Sequence, residues 1–88
     1  MKHADIIINS FINMNLSQLC KVPIIAVYKN PSDYPEKYVA RLWDIHKRPT
    51  LYVLVKDDIE DVRWNIPEIM YRLEPSPKDD PTLVETWL

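Results

Sequence analysis

Apolar and polar positions along the chain define a series of short elements. Residues 4–20 place Ile8, Ile12, Leu16 and Leu19 at steps of three and four, with Ile7, Phe11 and Met14 beside them. That spacing predicts an amphipathic helix with a broad apolar face. Asn9, Asn13 and Asn15 are mediocre helix formers, and Asp5–Ile8 reads alternatively as a short strand. Ile24–Lys29 is β-branched and aromatic, with Pro23 at its edge, and predicts a strand. Asn30–Pro35 has the chemistry of a loop. Tyr38–Ile45 and Leu51–Lys56 predict two more strands, joined by the short connection His46–Pro49, so the middle strand pairs with both neighbours in an antiparallel meander. Asp57 or Asp58 starts a helix, with Asp61 as the third member of a capping box. Ile59, Val62 and Ile66 form its inward stripe, and Pro67 ends or kinks it. Ile69–Leu73 fits neither period. A proline-rich loop follows, and Thr82–Leu88 predicts a last strand, which joins the sheet edge only if the chain crosses back. The expectation is an α+β fold: a small three- to four-stranded, mainly antiparallel sheet, one helix after the third strand, and an N-terminal helix. Residues 1–88 read as a single domain, with 1–22 as the N-terminal helix or an extension and 23–88 as the α+β core.

Composition narrows the chemistry. The chain of 88 residues is 47% hydrophobic and 27% charged, which suits a folded domain with a thin core. It contains no glycine and eight prolines. Glycine is what lets backbone adopt positive φ and approach a phosphate closely, so Walker, dinucleotide and GxSxG loops are excluded on steric grounds. Left-handed turn positions fall to Asn30, Asn65 and the aspartates. Residues 1–50 carry seven Lys/Arg and four Asp/Glu, and residues 51–88 carry four and nine. This dipolar split is compatible with self-association, while the net charge of −2 lacks the basic excess of a dedicated nucleic-acid binder. Cys20 is the one cysteine, which excludes an intrachain disulfide and fits a reducing, cytoplasmic compartment. The apolar segment Asp5–Cys20 is too polar and too short to span a membrane.

The segment Tyr28–Arg41, reading YKNPSDYPEKYVAR, resembles the hallmark of a family of small uncharacterised bacterial proteins. Val55–Arg63 followed by Ile66-Pro67, and Asp79–Trp87, add to the resemblance, which covers roughly residues 24–88. It implies a bacterial cytoplasmic protein with a small sheet and one helix, and it implies no activity. Residues 1–22 depart from the pattern, since the first strand is expected near the start. At the level of topology the chain is also similar to HicB-type antitoxin domains. Those carry a Gly-rich first turn and an added DNA-binding segment, and this chain has neither.

No catalytic residue, cofactor or metal ligand stands out. Asp57, Asp58, Glu60 and Asp61 read as a solvated, capped helix start rather than a cation site. Ser32, Asp33 and His46 read as turn residues rather than a triad, and Cys20 as a small packed hydrophobe. The aromatic residues interleaved with cations are the lead. Tyr34, Lys37, Tyr38, Arg41 and Trp43 form the candidate interaction surface, the alternatives being core packing, a protein interface or a stacking platform for nucleic acid. Strand alternation puts Val39, Arg41, Trp43 and Ile45 on one face and Tyr38, Ala40, Leu42 and Asp44 on the other. The functional expectation is a non-enzymatic protein-interaction or regulatory module of the bacterial cytoplasm, working through another protein or self-association. The alternatives are a nucleic-acid-binding module, which is disfavoured, and a small ligand-binding protein or enzyme with a Tyr34/Arg41 pocket. No cofactor and no membrane partner are expected.

Overall fold

Strands form where β-branched and aromatic residues run together, and the sheet they build is larger than the sequence pattern suggests. The computed structural model describes residues 5–44, 49–76 and 80–88. In chain order the elements are β1 (Ile6–Ile8), α1 (Leu16–Leu19), β2 (Pro23–Lys29), β3 (Tyr38–Asp44), β4 (Pro49–Lys56), α2 (Ile59–Trp64), β5 (Arg72–Leu73) and β6 (Leu83–Trp87). They make one six-stranded sheet in the order β1-β4-β3-β2-β6-β5. The meander β2-β3-β4 is antiparallel, with Ala26 opposite Arg41 and Ala40 opposite Leu54. The connection His46–Arg48 lies outside the described residues.

The expected three- to four-stranded, mainly antiparallel sheet is therefore corrected to a six-stranded mixed sheet with two short helices. One local reading fails and one unassigned stretch proves to be a strand. The predicted N-terminal helix over 4–20 is a strand, an irregular segment and a four-residue helix, and it is the alternative reading of Asp5–Ile8 as a short strand that matches β1. Three consecutive isoleucines prefer extended backbone, and β1 runs parallel to β4, pairing Ile6 with Tyr52 and Ile8 with Leu54. The unassigned stretch 69–73 supplies β5, an edge strand held antiparallel to β6. The last strand does cross back, but it lies between β2 and β5, with a register shift at Val27/Tyr28.

Alternation gives the sheet two faces. On the helix side Ile25, Val27, Ala40, Leu42 and Leu54 pack under Phe11, Leu16, Val62, Ile66 and Met70. Ile59 and Val62 do face inward from α2, and Ile66 joins them from just past its end, the helix stopping at Trp64 rather than at Pro67. Asp58 takes the N-cap position but makes no side-chain cap, so only its carbonyl serves the helix. Few residues are helical, and irregular chain covers much of this face. Phe11 is its centre: fully buried, with its N–H donating to the Asn65 carbonyl at 2.9 Å. On the opposite, loop side Ala26, Val39 and Val53 are buried. The loop after β2 turns back without glycine by placing Asn30 at φ 53° and Glu36 at φ 65°. Asparagine tolerates that region, whereas glutamate is held there at a cost of about 1–2 kcal/mol.

Phe11→Ala should lower stability by about 3–5 kcal/mol, and Tm by on the order of 20 °C, in a thermal melt followed by circular dichroism. Deleting residues 1–13 removes β1 as well and should abolish the cooperative transition. An unchanged melt in either variant contradicts this placement of the N-terminal segment.

Candidate functional site

The five sequence-predicted residues do not form one surface. Tyr38 turns to the helix side, packs against the core there, and has Lys29 Nζ 5.9 Å from its ring centre. Lys37 sits at the base of the loop and pairs with Asp57. That pairing raises the Lys37 pKa, first through the hydrogen bond and then through the carboxylate charge. Tyr34 and Arg41 do meet on the loop side, around a residue the sequence pattern did not single out, Asp5, and Trp43 lines the hollow beside Arg41. Arg41 holds the Asp5 carboxylate with two hydrogen bonds of 3.1 Å and donates a third, of 2.8 Å, to the Thr50 carbonyl. The Tyr34 hydroxyl donates to the same carboxylate at 2.7 Å. Burial, followed by the Asp5 hydrogen bond and charge, pushes the Tyr34 hydroxyl up to about 12.

This network latches the loop and β1 to the middle of the sheet. It engages the Tyr34 hydroxyl and both terminal nitrogens of Arg41. Beside it a shallow hollow of about 490 Å³ is lined by Tyr28, Asp33, Arg41, Trp43 and Thr82 among others. The Trp43 indole N–H is buried there without a hydrogen-bond partner.

The remaining sequence candidates carry little chemistry. Cys20 is buried, and burial followed by the charge of Asp44 pushes its thiol pKa up, which suppresses the nucleophilic thiolate. His46 lies outside the described residues. Among the described residues no three His, Cys, Asp or Glu side chains converge as a metal site requires.

The helix side holds a feature the sequence reading missed. Between α2, the segment after Pro67 and the irregular chain around Ile12 run two adjoining hollows of about 720 and 850 Å³. Both are lined by Ile12, Pro67 and Ile69, so they form one groove. Trp64 and Trp87 line one end, and Val22, Met70 and Leu88 the other. Its apolar walls are strongly exposed: Ile12 by 52%, Trp64 by 77% and Ile69 by 85%. Trp64 and Ile69 alone leave on the order of 300 Å² of apolar side chain in water. That is about the size of the largest apolar patch on a typical monomer, and such a patch is often functional.

One signal for the groove was legible. Trp64 falls off the Ile59/Val62/Ile66 stripe, so a large aromatic had to face away from the core.

The groove wall is fixed from below by a buried carboxylate. Glu85 on β6 is fully buried. Arg63 on α2 reaches it with two hydrogen bonds, 3.2 Å from Nε and 2.7 Å from Nη2. Trp87 Nε1 donates a third at 2.9 Å, and Arg72 Nη1 stands 3.8 Å away. The bidentate guanidinium and the indole N–H replace the water that Glu85 loses. Arg63 also reaches Glu60 at 3.3 Å.

No family model, curated protein or solved structure matches this chain. No helix among the described residues is long and apolar enough to cross a membrane.

Arg63→Met should cost about 3–5 kcal/mol in a urea titration, because it strands a buried charge. Arg72→Met, at the longer and more exposed contact, should cost less than about 1 kcal/mol. Equal losses would show that Arg63 is not the principal partner of Glu85. The Tyr34 latch gives an alkaline prediction. A hydroxyl whose pKa is higher in the folded state contributes stability in full below its ordinary value of 10.0 and loses it as pH rises to about 12. Between those limits the protein should lose about 1–2 kcal/mol that Tyr34→Phe does not lose. Parallel pH profiles for the two proteins would contradict it.

Proposed function

We propose that this protein is a non-enzymatic protein-interaction module, and that the helix-side groove is where it meets its partner. The exposure of Trp64 and Ile69 over that groove carries the reading. Water disfavours such a patch, and a small domain has little stability to spare for it. Tryptophan set in an apolar groove is also the residue type that dominates binding energy at protein interfaces. The surroundings suit recognition better than chemistry. The one buried carboxylate described, Glu85, is saturated by Arg63 and Trp87, and Cys20 is enclosed in the core. A small accessory or regulatory protein of the bacterial cytoplasm is the setting we infer.

The test is site-specific photocrosslinking of the full chain in its native cells. A photoreactive residue at position 12 or 69 should give adducts with another polypeptide, and one at position 29 should not. The adducts should disappear with Trp64→Ala in a chain whose circular dichroism is unchanged. Adducts that form equally from all three positions, or none from 12 and 69, would remove the groove as the site of interaction.

A further inference from the structure

We infer that the groove takes an amphipathic helix of a partner protein, one that carries basic residues beside its apolar stripe. This rests on the reading of the groove as an interface and specifies what occupies it.

Backbone hydrogen bonding selects a helix. An extended peptide buried in a groove needs main-chain partners, as strands find at a sheet edge. Here several N–H groups in and beside the groove wall are already engaged. The Ile66 N–H donates to Arg63, Met70 to Pro67, and Tyr71 and Leu88 donate to one another's carbonyls, all within 3.2 Å. Pro23 and Pro67 have no N–H at all. A bound strand could not draw on these groups, and each of its own amides left without a partner would cost about 1–3 kcal/mol. A helix brings its own hydrogen bonds and needs only apolar contact, which Ile12, Trp64 and Ile69 supply.

Charge selects a basic helix. Glu60 and Glu68 line the Trp64 end of the groove. The cation in that lining, Arg63, is already engaged by Glu85 and Glu60. That guanidinium is shared between two carboxylates, and with Glu68 beside them the rim of the apolar floor carries more negative than positive charge. Lysine or arginine flanking the apolar stripe of a helix complements that rim, and acidic flanks are repelled by it. A second copy docking through this same face would set Glu60 and Glu68 against their own equivalents, which disfavours a symmetric pair, and the occupant we infer is a different polypeptide.

The test uses two stapled peptides of ~14 residues, about four helical turns, one patterned from leucine and lysine and the other from leucine and glutamate. They are titrated against the isotopically labelled full chain and followed by amide shifts. The leucine–lysine helix should shift Ile12, Trp64 and Ile69 and bind at least tenfold tighter than the leucine–glutamate helix. Ile69→Ala should weaken it about tenfold, and Glu68→Lys should narrow or reverse the preference. Equal affinity of the two helices would overturn the charge argument. Equal affinity of an unstapled, proline-interrupted leucine–lysine peptide would overturn the helix. If Ile69→Glu converts a dimer to a monomer in light scattering, a second copy is the occupant, and the inference falls. If neither helix binds while the crosslinks from position 69 persist, the helix falls and the interface stands. Shifts confined to the Arg41 face would remove both.

Discussion

A carboxylate buried beneath a short helix sets the geometry of the functional face. Glu85 lies on a strand with no exposure to water, and an ion in that position is tolerable only if its partners are fixed and close. Arg63 is the principal partner, so α2 must present that residue downward to β6. Successive helical residues are turned by about 100°. With Arg63 committed to Glu85 and Val62 to the core, Trp64 is carried outward to the groove. The ion pair and the exposed tryptophan are thus two consequences of one helix orientation. Trp87, one strand position beyond the carboxylate's other neighbour, closes the arrangement by donating its indole N–H to Glu85 while its ring lines the groove.

The opposite face is organised by a second ion pair with a different outcome. Asp5, Arg41 and Tyr34 satisfy one another and the Thr50 carbonyl. Together they tie β1 and the glycine-free loop to the sheet centre. That face is locked by an ion pair and a hydroxyl that have found partners, with the Trp43 indole N–H buried beside them without one. The helix-side face ends in apolar groups that have found no partners. The contrast is why the interaction site is assigned to the second, although the aromatic and basic residues that first drew notice include three on the first.

Several elements were readable because local pattern and tertiary role agree. The runs at Ile24–Lys29, Tyr38–Asp44 and Leu51–Lys56 are strands in either context, and their short connections leave an antiparallel meander as the natural pairing. The stripe Ile59, Val62 and Ile66 faces the core as its spacing requires. Residues 4–20 were misread because Ile8, Ile12 and Leu16 satisfy a helical period while Ile6–Ile8 find their hydrogen bonds on β4, more than forty residues away. A strand of two residues, Arg72–Leu73, has no period to detect. Its existence depends on β6 lying alongside.

The amino-acid sequence by itself determined the α+β class, the central meander, the amphipathic α2 and, through the lack of glycine, the exclusion of phosphate-cradling loops. These follow from properties of neighbouring residues: side-chain branching, spacing and backbone freedom. Tertiary structure alone decided the parallel placement of β1, the insertion of β6 beside β2, and the division of Tyr34, Lys37, Tyr38, Arg41 and Trp43 among different surroundings. It also decided that Ile12, Trp64 and Ile69, dispersed in the chain, share one groove. Each of these is a meeting of distant segments, settled by which buried polar groups find partners and which apolar groups find cover.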